Sequence, residues 1–182
     1  MQKDIFKKIF DIRRHYYYQV DKTLPFSFPN RELCIKAVTM ENYHEIDEYF
    51  PKHTSKFYNF VKRGDKGMYG YINGRLVAYA WAILNKQNKS KKICGYFNLP
   101  GDAAFVHFCR VMNDFQGQKI YQTMLAYMYS ELFQEVNDIY IDTEINNLPA
   151  NQAIRKSNGM VIGKLTRVIC LKQTVLTLKT II

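Results

Sequence analysis

The sequence predicts one mixed α/β domain with a mostly antiparallel central sheet and helices on both faces. Three observations carry this. Apolar and polar residues order into a strand, two helices, three or four antiparallel strands, and then strand, helix, strand, helix, strand, strand. An Asn73–Gly74 pair separates two β-prone runs, a strong hairpin signal. The apolar run FVHFCRV (105–111) leads into the glycine-bearing turn NDFQGQKIY (113–121), which opens a helix. Two strands joined through one helix should run parallel with a right-handed crossover.

From Met1 to about Lys22, Ile5, Phe6, Ile9, Phe10, Tyr16, Tyr17 and Val20 recur at helical spacing, which predicts an amphipathic helix. Its aromatic face either packs on the main domain or makes peripheral membrane contact. Residues 24–31, LPFSFPNR, read as an extended linker, so residues 1–30 are a helix and linker ahead of a domain spanning 31–182. Glu32 to Val38 alternates as the first strand, and Glu41–Phe50 and Thr54–Lys62 read as short helices around Pro51. Gly67–Ile72 and Arg75–Leu84 are strands 2 and 3, with Ile93–Leu99 a candidate partner for strand 3. Ala103–Met112 is strand 4, Gly117–Phe133 a helix, Ile139–Ile145 strand 5 and Pro149–Ser157 a helix. Gly159–Leu171 and Thr174–Ile182 close the sheet as an antiparallel pair.

The 182 residues suit a single domain, and 47% hydrophobic content is enough for a full core. Cysteines at 34, 94, 109 and 170 are scattered and form no C-x-x-C, which speaks against zinc or any other metal and against a disulfide framework. With no signal peptide and no run of about 20 apolar residues, the expected setting is the reducing cytoplasm. A net charge of +10 calls for an anionic partner. Its lysines and arginines are dispersed over all elements rather than gathered in one block, which argues against nucleic acid.

In a sheet of this kind the ligand crevice lies at the carboxyl ends of the parallel strands, where the turn from Asn113 to Tyr121 sits. The first amides of the following helix lack internal partners and, with the helix dipole, favour an anion such as a pyrophosphate. Gln116, Gly117, Gln118, Lys119, Ile120 and Tyr121 would cradle it, Gly117 by close main-chain approach and Lys119 by its charge.

Val111, four residues, then Gln116–Gly117 and a helix stand in the register of the GNAT N-acetyltransferases, which this stretch resembles. Lys119 and Tyr121 occupy the positions of that family's later glycines. Asn147 falls where the family places an asparagine that contacts coenzyme A, Ala150 at its small position, and Gly159–Met160 looks like its Gly-Phe. Gly64–Asp65, Asn73–Gly74 and the strand LVAYAWAI also look like the family's amino-terminal half, so the resemblance covers Arg31 to about Ile182. It implies strands 4 and 5 splayed around a pantetheine arm that pairs with the main chain of Arg110, Val111 and Met112. Acetyl-CoA or another acyl-CoA would be the co-substrate, and an amine acceptor would attack the thioester directly.

That chemistry needs a base for the amine, a donor for the oxyanion and a proton for the leaving thiolate. His107, four residues before Val111, is the candidate base, where some family members place a histidine; its alternative is a core histidine. Strand alternation would put Phe105, His107 and Cys109 on one face and Val106, Phe108 and Arg110 on the other. Asp142 and Glu144 are alternative bases. Ile154 stands where the family has its tyrosine acid, leaving a non-catalytic acyl-CoA-binding protein as the competing reading. Cys109 reads as an inert small hydrophobe. Tyr16, Tyr17 and Tyr18 read as core or as a subunit contact in a homodimer. The acceptor implied is a small-molecule amine, with an amino sugar of surface-polysaccharide synthesis the specific guess.

Overall fold

The computed structural model describes residues 10–87, 89–93, 97–170 and 173–181. Its main sheet has eight strands in the order β10-β9-β1-β8-β7-β4-β3-β2. The strands are β1 (Phe10–Val20), β2 (Cys34–Val38), β3 (Lys66–Ile72), β4 (Arg75–Asn85), β7 (Ala103–Val111), β8 (Asp138–Glu144), β9 (Gly159–Cys170) and β10 (Gln173–Ile181). All neighbours are antiparallel except β7 and β8. The helices are α1 (Thr54–Arg63), α2 (Ile120–Leu132) and α3 (Leu148–Lys156).

The amino-terminal segment corrects the helix expected there. Residues 10–20 form β1, paired on one side with β8 and on the other with β9. The part of the expected helix at Met1–Ile9 lies outside the described residues. Helical spacing was misleading because the second half of β1, from His15 to Val20, is largely buried on both faces. Tyr17 packs with Phe97, Tyr140 and Leu165, while Tyr18 joins the core under α2 and α3. A strand buried on both sides shows no period of two, and its tyrosines favour a pleated surface over a helix.

Two further expectations change. Glu41–Phe50 is a short 3₁₀ turn over Tyr43–Glu48, followed by another at Pro51–His53, because Pro51 leaves too little chain for an α-helix. Ile93–Leu99 is not a partner for β4, whose neighbours are β3 and β7. Lys91–Ile93 (β5) and Phe97–Leu99 (β6) pair with each other instead. Ile93, Phe97 and Leu99 of that hairpin bury themselves against Tyr17, Ile83 and Phe105.

Helices cover both faces of the main sheet. On one face, Ile120, Met124, Leu125, Met128 and Leu132 of α2 and Ile154 of α3 pack on Ala78, Ala80, Ala82, Val106, Ile139 and Ile141. On the other, Phe57 of α1 sits among Tyr69, Tyr79 and Trp81, all nearly inaccessible. The alternation of small and large residues along β4, Ala-Tyr-Ala-Trp-Ala, lets helix backbones approach one face closely while aromatic rings fill the other.

Candidate active site

β7 and β8 pair in parallel from Ala103–Asp138 to Val106–Ile141, although β7 runs on to Val111 and β8 to Glu144. Past Val106 they part around a cleft of about 880 Å³. A β-bulge marks the parting. On β4, Trp81 pairs with His107 and Tyr79 with Arg110, so Phe108 and Cys109 together oppose Ala80. Phe108 has φ of 50°. That conformation costs a bulky residue about 1–3 kcal/mol, and its ring is held there among His53, Phe57, Phe60 and Tyr79. A bulge bends its strand and re-aims the side chains beyond it.

The expected alternation therefore fails after His107. Phe108 joins His107 on the α1 face, and Cys109 turns to the α2 face. There the Cys109 thiol accepts from the Tyr121 hydroxyl and donates to the His107 carbonyl at 3.4 Å. Burial pushes the thiol up to about 12, so it is protonated and inert as a nucleophile.

The turn expected to cradle an anion follows β7. A 3₁₀ turn at Asn113–Phe115 leads to Gly117 with φ of 79° and Lys119 with φ of 59°, and α2 begins at Ile120 rather than near Gly117. Left-handed residues interrupt the helix start, and Lys119 adopts without glycine the backbone that the family's glycine would take freely. The amides of Gly117, Gln118, Lys119, Ile120, Tyr121 and Gln122 have no acceptor among the described residues.

His107, Arg110, Val111, Gln116, Gly117, Lys119, Ile120, Tyr121 and Asn147 all line the cleft. Met112 and Gln118 do not. Met112 is buried and its amide donates to the Val77 carbonyl at 2.8 Å, so it faces β4 and cannot pair with a ligand. The Gln118 carbonyl accepts from the Asn30 side chain at 3.0 Å. Asn147 caps α3, its side-chain oxygen accepting from the Ala150 amide at 3.3 Å.

Ile154 is fully buried and rests on Gly159, whose missing Cβ would stand 2.4 Å from the Ile154 methyl. No tyrosine of α3 exists to face the cleft; Tyr121 is the tyrosine that lines it. Burial, first of all, and the neighbouring Cys109 push its hydroxyl well above the usual tyrosine range, so it stays protonated at neutral pH.

Each wall of the cleft holds a histidine beside a carboxylate. His107 Nε2 stands 3.5 Å from Asp65 Oδ2, and its ring meets Phe60 edge-on. Asp65 is buried, yet the Arg63 guanidinium that grips it and the nearby His107 outweigh burial and hold its carboxyl below the usual range. His15 of β1 has Nδ1 2.7 Å from Asp142 Oδ2, with both side chains about nine-tenths buried. Sequence reading missed His15 because β1 was taken for a helix. The β-prone run RHYYYQV was the available signal.

Asn151, also unremarked, fastens this corner. Its amide donates to the carbonyls of Glu144, Ile145 and Asn147 at 2.8–3.1 Å, and its oxygen accepts from the Tyr18 hydroxyl at 2.6 Å. One buried side chain thus ties β8, α3 and β1 together.

The parted strands and the helix start after them lie within a stretch that a family model matches. Residues 30–160 match the acetyltransferase (GNAT) family. The chain belongs to the GNAT acetyltransferase family. Solved GNAT structures share the fold at low identity. An acetyltransferase from Colwellia psychrerythraea is 16% identical with a TM-score of 0.64, over 87% of this chain and 55% of that one. One from Novosphingobium aromaticivorans is 12% identical with a TM-score of 0.63, over 87% and 63%. The glucosamine N-acetyltransferase region of a fungal multi-domain β-N-acetylglucosaminidase is 14% identical with a TM-score of 0.60, over 91% and 22%. The GNAT chain thus spans little more than half the length of the first two. No curated protein matches the sequence.

GNAT proteins use acetyl-CoA as co-substrate, and the residues present fit it. The free amides from Gly117 to Gln122 and the open space beside Gly117 suit a pyrophosphate, and the cleft is large enough for a thioester arm. Among the described residues, no group of three His, Cys, Asp or Glu is placed to hold a metal ion, and no helix is long and apolar enough to cross a membrane.

Proposed function

We propose that this chain is an acyl-CoA-dependent N-acyltransferase that moves an acetyl group to an amine by direct attack on the thioester. The run of unpaired amides at the start of α2, opening onto the gap between β7 and β8, carries the reading. Gln116, Gly117, Gln118, Lys119 and Ile120 would hold the pyrophosphate, and Arg110, Val111 and Asn147 the arm beyond it. Of the expected set, Met112 serves only to pin β7 to β4. The bound thioester supplies the activated acyl carbon.

His107 lines the cleft just before the bulge and would contact the acceptor there. Tyr121 replaces the absent α3 tyrosine as the proton donor to the leaving sulfur. Its hydroxyl, protonated at neutral pH, would turn from the Cys109 thiol to the leaving sulfur. The acceptor proposed is a small amine, with an amino sugar favoured because the fungal neighbour is described as a glucosamine N-acetyltransferase region. The setting proposed is cytoplasmic.

A second reading, acyl-CoA binding without turnover, rests on Ile154 being core and on Lys119 standing in the glycine position. Thermal melting with acetyl-CoA, longer acyl-CoAs and free CoA tests both. A ligand at 100 times its Kd stabilises the fold by about 2.7 kcal/mol. A saturable rise in Tm with one acyl group preferred is the expected result. No rise with any CoA species removes both readings. A rise without acetylation of any amine in a broad panel favours the second.

A further inference from the structure

We infer that His15, held by Asp142, is the catalytic base that deprotonates the acceptor amine, so that β1 supplies a catalytic residue from outside the segment that matches the family. The inference rests on the acyltransferase reading and names the group that prepares its second substrate.

The geometry separates the two cleft histidines. Asp142 Oδ2 lies 2.7 Å from His15 Nδ1. At that separation two lone pairs would repel, so the proton sits on Nδ1 and Nε2 keeps its lone pair. Both ring nitrogens are buried at the cleft wall without an aligned hydrogen bond in the protein, so the tie to Asp142 is a close charge contact and Nε2 stands open to a ligand. An unpaired buried acceptor is unfavourable, and an ammonium or a single bridging water would relieve it. His107 has the weaker arrangement. Its carboxylate is 3.5 Å away and already committed to the Arg63 guanidinium.

The groups that face His15 come from three strands. Asp142 and Glu144 belong to β8, with Glu144 directly opposite in register. Arg13 lies on β1 itself, 3.9 Å from Glu144, and Arg167 of β9 lines the same cleft. His107 is on the other wall. An alkylamine, mostly ammonium at neutral pH, is the class of acceptor that needs such a base.

The step balances without a further reactant. One N–H proton of the ammonium passes to His15 Nε2, directly or through a water, giving imidazolium and a neutral amine. The amine nitrogen forms a bond to the acyl carbon, and the carbon–sulfur bond breaks with its electron pair leaving on sulfur. The sulfur takes a proton from Tyr121, and the second amine proton, passed through solvent, restores the Tyr121 hydroxyl. The imidazolium then returns its proton to solvent. Asp142 touches no substrate; it positions the ring.

The test uses the whole chain in three arms. First, acetyl-CoA must raise the Tm of the wild type; if it does not, the acyltransferase reading fails whatever His15 does. Second, ¹⁵N-histidine NMR reads the tautomer without any acceptor. His15 is expected as the Nδ1–H form, switching on Asp142→Asn; an Nε2–H form, or no response to Asp142→Asn, overturns the inference. Third, acetylation of ethanolamine, glucosamine, lysine and spermidine is followed against pH. His15→Gln should lower kcat about 10²–10⁴-fold and abolish the rising limb of the profile. His107→Gln should keep that limb. A rising limb lost in His107→Gln and retained in His15→Gln overturns the inference while leaving the reading intact.

Discussion

Single backbone conformations decide how the cofactor site is built. Gly117, at φ of 79°, has no atom within 4 Å of where a Cβ would stand, so a side chain would meet no protein and would fill the space in front of the free amides. Gly117→Val is expected to weaken acetyl-CoA binding at least tenfold, with a Tm loss of a few degrees from the left-handed strain of about 1–2 kcal/mol. Calorimetric titration checks it, and undiminished binding would mean that the phosphates lie elsewhere. Asp65 gives a pH signature. Its folded pKa is depressed, so its contribution is complete above the ordinary carboxylate value near ~4 and is lost as pH falls through the lower folded value. Tm measured from pH 6 to 3 should therefore fall less steeply for Asp65→Asn than for wild type, starting from a lower value at pH 6.

At the scale of elements, β1 and α3 show how neighbours assign roles. Ile154 occupies the family's tyrosine position in sequence but is fully buried in the core, close against Gly159, whose missing side chain makes room for it. Ile154→Tyr should thus destabilise the fold by about 1–3 kcal/mol through overpacking and should not raise turnover. Denaturant unfolding and a CoA-release assay measure the two effects. A faster enzyme would show that α3 can present a hydroxyl to the cleft. β7 teaches a related lesson. Its sequence alternates cleanly, yet opposite Ala80 it inserts one extra residue, and from there each side chain faces the side opposite to the one that alternation assigns.

Over the whole molecule, the charge of +10 is dispersed, and only part of it borders the cleft, in Arg110, Lys119, Lys156 and Arg167. Acetyl-CoA binding is therefore expected to weaken only a fewfold between 50 and 200 mM salt. A protein gripping a duplex by 6–10 phosphates would lose about 10³–10⁵-fold over that range. Titration at the two salt concentrations decides it, and a loss of the larger size would point to a polyanion as the natural partner.

The sequence by itself determined the mixed sheet, the hairpin at Asn73–Gly74, the crossover from β7 through α2 to β8, and the glycine-bearing turn that leads into α2. These are written in local signals: periodicity, turn residues and the spacing of Val111, Gln116 and Gly117. It also marked His107, which the fold does bring to the cleft. The strand nature of residues 10–20, the bulge at Phe108–Cys109, the turning away of Met112 and the pairing of His15 with Asp142 were decided only by tertiary structure. Each depends on a partner far along the chain. β1 becomes a strand because β8 and β9 offer open edges on both sides, and His15 acquires a carboxylate because that register sets it beside Asp142, 127 positions later.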